Sequence, residues 1–211
     1  VLPGESVRVA AKTKKKKLVW GKLLEVTAPA AERIVAKCPH FPICGGCHYQ
    51  HIPAAEQARL TIGILRETLS RLGGIQWTGD IVAHSGEPYA YRNRAQWAVR
   101  SGMPRALGYF LPESSVILPI DVCPILSPRL AETFGILQEM ARGGRLPAGI
   151  LEIEAFVDSA DEKVALNVAF EKFPGPAEGL AAVFRAELPR LESLLLLDQK
   201  KNKFELTGPG F

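Results

Sequence analysis

Four cysteines constrain this chain more than any other feature. Cys38, Cys44 and Cys47 fall within ten residues, inside CPHFPICGGCHYQH, and Cys123 follows after 75 intervening residues in DVCPIL. No cysteine is left over. Four thiols in one C-x5-C-x2-C…C set point to a tetrahedral sulfur site, either zinc or an iron–sulfur cluster. Such a site ties a loop near the N-terminus to the middle of the chain. The loop holds Pro39, Pro42, Gly45 and Gly46 and has too little apolar mass to be core. Adjacent glycines let backbone wrap closely around a metal without side-chain collisions, and amides freed by the turn can hydrogen-bond sulfur.

Ligand spacing separates the two metals. Zinc sites commonly pair their ligands as two close doublets. Here one doublet is close, Cys38 stands apart from it, and the remote fourth cysteine precedes Pro124. This three-plus-one arrangement, with Cys-Pro steps at both ends, favours a [4Fe–4S] cluster. The competing reading is three structural cysteines plus an unrelated buried one. His40, His48 and His51 flank the loop, and with four thiols present they are expected around the ligands rather than among them. Residues 1–10 lack the layout of a signal peptide, and no apolar run is long enough to span a bilayer. A cytoplasmic monomer without membrane attachment is expected, with thiols kept reduced for metal.

The charge is uneven. Residues 1–37 carry nine Lys/Arg against three Glu, an excess of +6, so the remainder carries −2 of the overall +4. A basic front on a near-neutral body suits a polyanion such as RNA. Lys12 and the run Lys14, Lys15, Lys16 and Lys17 are the candidate contacts. Taken alone, that run also reads as a solvated hairpin tip.

Period-two alternation predicts strands over 5–12, 18–26 and 31–37, with the lysine run as a loop at 14–17 and a bend at Gly21. Three short strands with basic loops make part of a small oligonucleotide-binding barrel. Residues 54–72 predict a helix with a stripe of Leu60, Ile64, Leu65, Leu69 and Leu72, ended by Gly73-Gly74. Strands are expected over 80–85 and 91–100, a hairpin over 106–110 and 115–120, and a helix over 127–142 capped by Ser127 with Pro128 behind it. Residues 151–171 read as a hairpin turning at DSADE, followed by a short helix and two closing strands. The fold class is α+β and β-rich.

YRNRAQWAVR (91–100) places Arg92, Arg94 and Gln96 on one side of a strand and Tyr91, Ala95, Trp97 and Val99 on the other. Arginines beside aromatics suit phosphate contact and base stacking, and equally an exposed face with a salt bridge. No GxGxxG turn follows a strand, so no S-adenosylmethionine cradle is visible. No His/Asp/Ser set has diagnostic spacing.

In this order, CPHFPICGGCHYQH, YRNRAQWAV and LPIDVCPIL resemble the RNA (uracil-5-)-methyltransferases, in particular the 23S rRNA type that carries a [4Fe–4S] cluster. The resemblance covers essentially the whole chain and is most specific in the cysteine loop and YRNR. It implies that Cys38, Cys44, Cys47 and Cys123 are the cluster ligands. It also implies that LPGESVRV…LLEV is part of a TRAM domain, an RNA-binding β-barrel. In that family a Rossmann-like domain binds S-adenosylmethionine and carries a nucleophilic cysteine, which attacks C6 of a flipped-out uracil, and a general base. None of those catalytic residues is identified here.

The expected organisation is a partial TRAM-like barrel over 1–36, a cluster loop over 37–53, and a central domain of antiparallel strands with helices over 54–173. Residues 174–211 then lead into a methyltransferase domain beyond the chain, whose two ends look cut. On this reading the chain recognises RNA and binds the cluster but does not methylate alone. The alternatives are a zinc-containing RNA-binding module without catalysis and a small iron–sulfur electron carrier.

Overall fold

The computed structural model describes residues 1–102 and 104–209. The chain divides into two compact units. One comprises Val1–Ala36 with Tyr49–Ser85, and the other Lys37–His48 with the chain from Gly86 onward.

In the first unit, β1 (Ser6–Lys15) and β2 (Leu18–Ala28) form an antiparallel hairpin. Lys15 lies opposite Leu18, so the turn is only Lys16-Lys17, and Lys16 takes a positive φ of 55°. The lysine run is therefore not the expected loop: Lys14 and Lys15 belong to β1. The expected irregularity near Gly21 falls on the opposite strand. Gly21 pairs with Ala11 and Trp20 with Thr13, which leaves Lys12 as the extra residue of a bulge. At the hairpin's base the Glu5 carboxylate accepts from the Leu2 and Ala30 amides at 2.7 and 3.2 Å and pairs with Arg33.

Two expected strands do not form. Residues 31–37 make a turn and unpaired extended chain, so the described residues hold two strands here and no closed barrel. Ile34 donates to the His51 carbonyl at 3.0 Å, and Val35 is 94% exposed. An alternating pattern with no face to bury gains nothing from pairing. Residues 80–85 fail for the same reason: they are irregular, and Val82 is exposed. The helix α1 (Ala54–Gly73) forms as expected and ends at Gly74 in the left-handed region, φ 64°. None of its residues is buried, and Ile64, Leu65 and Leu72 of its apolar stripe stand exposed.

The second unit is built on one seven-stranded mixed sheet. Its strands are β3 (Arg94–Arg100), β4 (Ala106–Phe110), β5 (Ile117–Pro119), β6 (Ile150–Val157), β7 (Val164–Phe170), β8 (Leu191–Asp198) and β9 (Lys203–Thr207). Their order is β5-β4-β3-β6-β7-β8-β9. Every pairing is antiparallel except β7 with β8, which are joined through α3 (Ala177–Glu187). Residues 174–209 thus add a helix and two strands to this sheet. The last two residues of the expected lead-in, Gly210 and Phe211, lie outside the described residues.

Alternation decides which side of the sheet is core. Trp97, Ile153, Val157, Val168, Leu194 and Leu196 are fully buried against α3 and α2 (Pro128–Arg142), which contributes Leu130, Phe134, Leu137 and Met140. The Trp97 and Phe134 rings lie 5.1 Å apart. Each such side chain contributes roughly 1.5–3 kcal/mol by leaving water. Ser127 caps α2 through the Leu130 amide. Buried Gln138 then fastens α2 to the sheet: it accepts from the Leu107 amide and donates to the Leu107 carbonyl, both at 3.0 Å, and donates to the Ile120 carbonyl. Burying an amide is costly unless its groups are paired, and here both ends are. The bond to Ile120 anchors the chain three residues before Cys123.

Candidate metal centre

All four cysteines lie in the second unit, and all are free thiols. The loop that carries three of them is folded by its own backbone. Phe41 donates to the Cys38 carbonyl at 3.2 Å, and Ile43 and Cys44 donate to the His40 carbonyl at 2.9 and 2.8 Å. The Gly46 amide donates to Cys44 Sγ at 3.4 Å. Gly45 lies against the end of β4: a Cβ there would sit 3.1 Å from the Phe110 carbonyl oxygen. The expected amide directed at sulfur is present at Gly46, while the close approach that Gly45 permits is to the backbone of β4.

Cys123 is delivered from the other direction. After β5 the chain passes Ile120, and the Asp121 amide donates to His40 Nε2 at 3.2 Å. That bond joins the cysteine loop to the remote segment without metal. Leu126 donates to the Cys123 carbonyl at 3.2 Å, which folds the chain just after the cysteine. Burial pushes the Cys44 thiol up, and the neighbouring Cys38 and Cys47 sulfurs push it further. Burial also raises Cys123, with the same two sulfurs adding to it. The structure places Cys38, Cys44 and Cys47 on one folded loop, and Cys123 on the segment which that loop meets through the His40–Asp121 hydrogen bond. Among the described residues, however, no group of three His, Cys, Asp or Glu side chains closes into a ready metal-ligating set.

Whether these residues suit a cluster turns on the chemistry of the donors. The four thiols are buried or half-buried, and one amide, that of Gly46, is directed at a sulfur. A thiolate there needs a cation to offset burial. Cysteine sulfur with an amide directed at it is the donor chemistry that iron–sulfur clusters take. The histidines behave differently from one another: His40 engages a backbone amide, while burial and then Arg33 hold His51 below its ordinary pKa.

The YRNR motif runs beside the Cys123 segment. Ala90 donates to the Pro124 carbonyl at 3.0 Å, Arg92 to the Ile125 carbonyl at 2.8 Å, and Ser127 to the Arg92 carbonyl at 2.8 Å. The two strongest sequence signals thus meet in space. Arg92 is exposed, and its Nε donates to the Arg94 carbonyl at 3.1 Å. Arg94 is committed to Glu154, 2.7 Å away, on the sheet face that α2 and α3 leave open. There Arg94, Glu154, Phe156, Asn167, Leu195 and Phe204 line a groove of about 510 Å3. Lys12, Lys14, Lys15, Lys16 and Lys17 are all exposed on the hairpin of the first unit. Gln138 was not predicted. A glutamine inside a helix carries no sequence signal until tertiary structure supplies its partner.

No family model matches the chain. Among curated proteins, the 23S rRNA (uracil(1939)-C(5))-methyltransferase RlmD of Alkalilimnicola ehrlichii is 34% identical over 173 residues, covering 80% of this chain and 39% of that protein. The protein of the same name from Dechloromonas aromatica is 32% identical over 161 residues, covering 74% and 37%. The one from Xanthomonas oryzae is 28% identical over 170 residues, covering 79% and 38%. The chain spans about two-fifths of the length of these relatives. The crystal structure of Pyrococcus abyssi tRNA (uracil-54, C5)-methyltransferase in complex with S-adenosyl-L-homocysteine superposes with a TM-score of 0.65. It is 19% identical, and the match covers 99% of this chain and 50% of that one, a likeness of fold.

Proposed function

We propose, from the chain's homology to the RNA (uracil-5-)-methyltransferases, that these 211 residues are the RNA-recognition and cluster-binding portion of an S-adenosylmethionine-dependent enzyme forming 5-methyluridine, with 23S rRNA as substrate. The observation that supports this reading is the hydrogen bond from the Asp121 amide to His40, which joins the cysteine loop to the segment bearing Cys123. Cys38, Cys44, Cys47 and Cys123 hold a [4Fe–4S] cluster. The cluster's contribution is structural: it adds metal–sulfur bonds between a loop without a core and the sheet.

The remaining roles follow from charge and placement. Residues 1–36 act as a TRAM-like RNA-binding element, and Lys12, Lys14, Lys15, Lys16 and Lys17 meet phosphates without reading sequence. Arg92 adds a phosphate contact beside the cluster segment, and Arg94 does so only by sharing its charge with Glu154. Residues 37–48 form the cluster loop, and the sheet built from residue 86 onward, with β8 and β9 included, is the central domain that carries it. With all four thiols acting as ligands, none remains to attack a uracil, so this stretch does not methylate by itself. The site of action is the cytoplasm.

Anaerobically purified chain, titrated with a 23S rRNA fragment carrying the uridine for which the relatives are named, tests the reading. Binding should require the iron-loaded form, and affinity should fall as salt rises. Equal affinity for the fragment with and without iron, or none at low salt, would refute it.

A further inference from the structure

We propose that the open face of the seven-stranded sheet holds a short unpaired segment of RNA, with one base on Phe204, a base edge at Asn167 and a phosphate at Arg94. The inference rests on the RNA-binding reading above and adds to it a site for bases. It starts from the register. Glu154, Asn167, Leu195 and Leu206 stand opposite one another across β6, β7, β8 and β9, and Arg94 of β3 reaches Glu154 from the far side. With Phe204 they line the groove of about 510 Å3, within the range of about 300–1,000 Å3 in which ligand sites fall. Adjacent strands lie roughly 4.8 Å apart. From β6 to β9 the groove crosses three such spacings, so a short stretch of chain rather than a lone base bridges it.

Three features select this occupant. Phe204 is 67% exposed on the edge strand β9, and every base has a π-face that stacks on an aromatic ring. Asn167 Oδ1 is shielded from water and has no hydrogen-bond partner, and an acceptor left unmet in this way is costly. A ligand N–H entering the groove satisfies the Asn167 amide once it turns outward. Bases offer such groups on their Watson–Crick edges only when unpaired. Arg94 supplies the charge. Its Nε donates to Glu154 Oε1 at 2.8 Å, and one Nη lies 2.7 Å from the same oxygen. Three of the five guanidinium N–H groups remain on a side chain that is 66% exposed, and they suit phosphate. A purely apolar partner would cover Phe204 and leave Asn167 and Arg94 unmatched.

Titration of the full chain with a short oligouridylate, alone and as its duplex with oligoadenylate, tests the inference. The single strand should bind and the duplex should not reach the groove. Phe204→Leu keeps an apolar side chain and should weaken single-strand binding about tenfold, by the same factor at low and high salt, because stacking releases no counterions. Phe204→Tyr keeps the ring and should retain the affinity. Asn167→Leu removes the unmet acceptor, so it should melt no lower than the wild type while binding the single strand several-fold more weakly. An affinity that Phe204→Leu leaves unchanged, or an Asn167→Leu protein that binds like the wild type, overturns the inference. So does a concentration-dependent dimer that Phe204→Leu dissolves, which would give the face to a second copy of the chain. Failure of the wild type to bind any RNA, the 23S rRNA fragment included, overturns the RNA-binding reading itself, a different result from rRNA binding that ignores Phe204.

Discussion

Gly108 is the position where a single methyl group should do most damage to the cluster support. It lies in β4 opposite Pro119 of β5. A Cβ built on it would stand 2.0 Å from the Leu118 carbonyl oxygen and 2.9 Å from the Pro119 Cα. Ordinary contact begins at 3.4 Å, so Gly108→Ala forces β5 back by about 1.4 Å. The obstacle is backbone and cannot rotate away. Overpacking of this kind costs about 1–3 kcal/mol, and loosened ladder hydrogen bonds add about 1 kcal/mol each. A loss of about 3 kcal/mol follows, which lowers the melting temperature by roughly 10 °C in a chain of this size. Because β5 feeds Ile120 and then Cys123, iron loading should fall as well. Gly135→Ala is the matched control. Nothing lies within 4 Å of its Cβ and it sits inside α2, so it should stabilise by up to about 1 kcal/mol. Calorimetry and iron analysis on both variants decide the matter. A Gly108→Ala protein that melts with the wild type and loads fully would refute the packing argument.

Other predictions address the remaining features. Arg33 first, and then the Leu2 and Ala30 amides, hold the Glu5 carboxyl well below the ordinary carboxylate range. A lowered pKa means that Glu5 stabilises the fold at pH values above its unfolded value of about 4.3 and loses that contribution as pH falls below it. The melting-temperature gap between wild type and Glu5→Gln should therefore be widest near neutrality and shrink in acid; a gap independent of pH would contradict the pairing. Changing Lys14, Lys15, Lys16 and Lys17 together to Glu should weaken RNA binding across sequences and flatten its salt dependence by roughly 0.7 of a log unit per lost phosphate contact. Unchanged affinity at low salt would refute their role. Cys44→Ala should lose iron and melt lower, and a variant that keeps both would show that Cys44 is not a ligand.

The sequence carried information wherever local physics decided the outcome. The pattern around Trp97 and that of 151–171 declared their buried faces by alternation, and Ser127-Pro128 marked the start of α2. It misled wherever alternation lacked a partner. IVAK and IVAH read as strands, yet Val35 and Val82 have nothing to pack on. The lysine run read as a loop because charge usually marks one, but a turn of two residues left half of it in β1. The stripe of α1 was legible, but not that it would stay exposed. At the candidate site, the cysteines and Arg92 were visible as motifs because their spacing is unusual. Gln138 and the His40–Asp121 contact were not, since each depends on residues brought together only by the sheet.

Metal and sulfide analysis of the chain purified without oxygen tests the central claim most directly. The account predicts a brown protein with about four irons and four acid-labile sulfides per chain. A colourless protein holding one zinc, or a chain that retains no metal after anaerobic reconstitution, would contradict it.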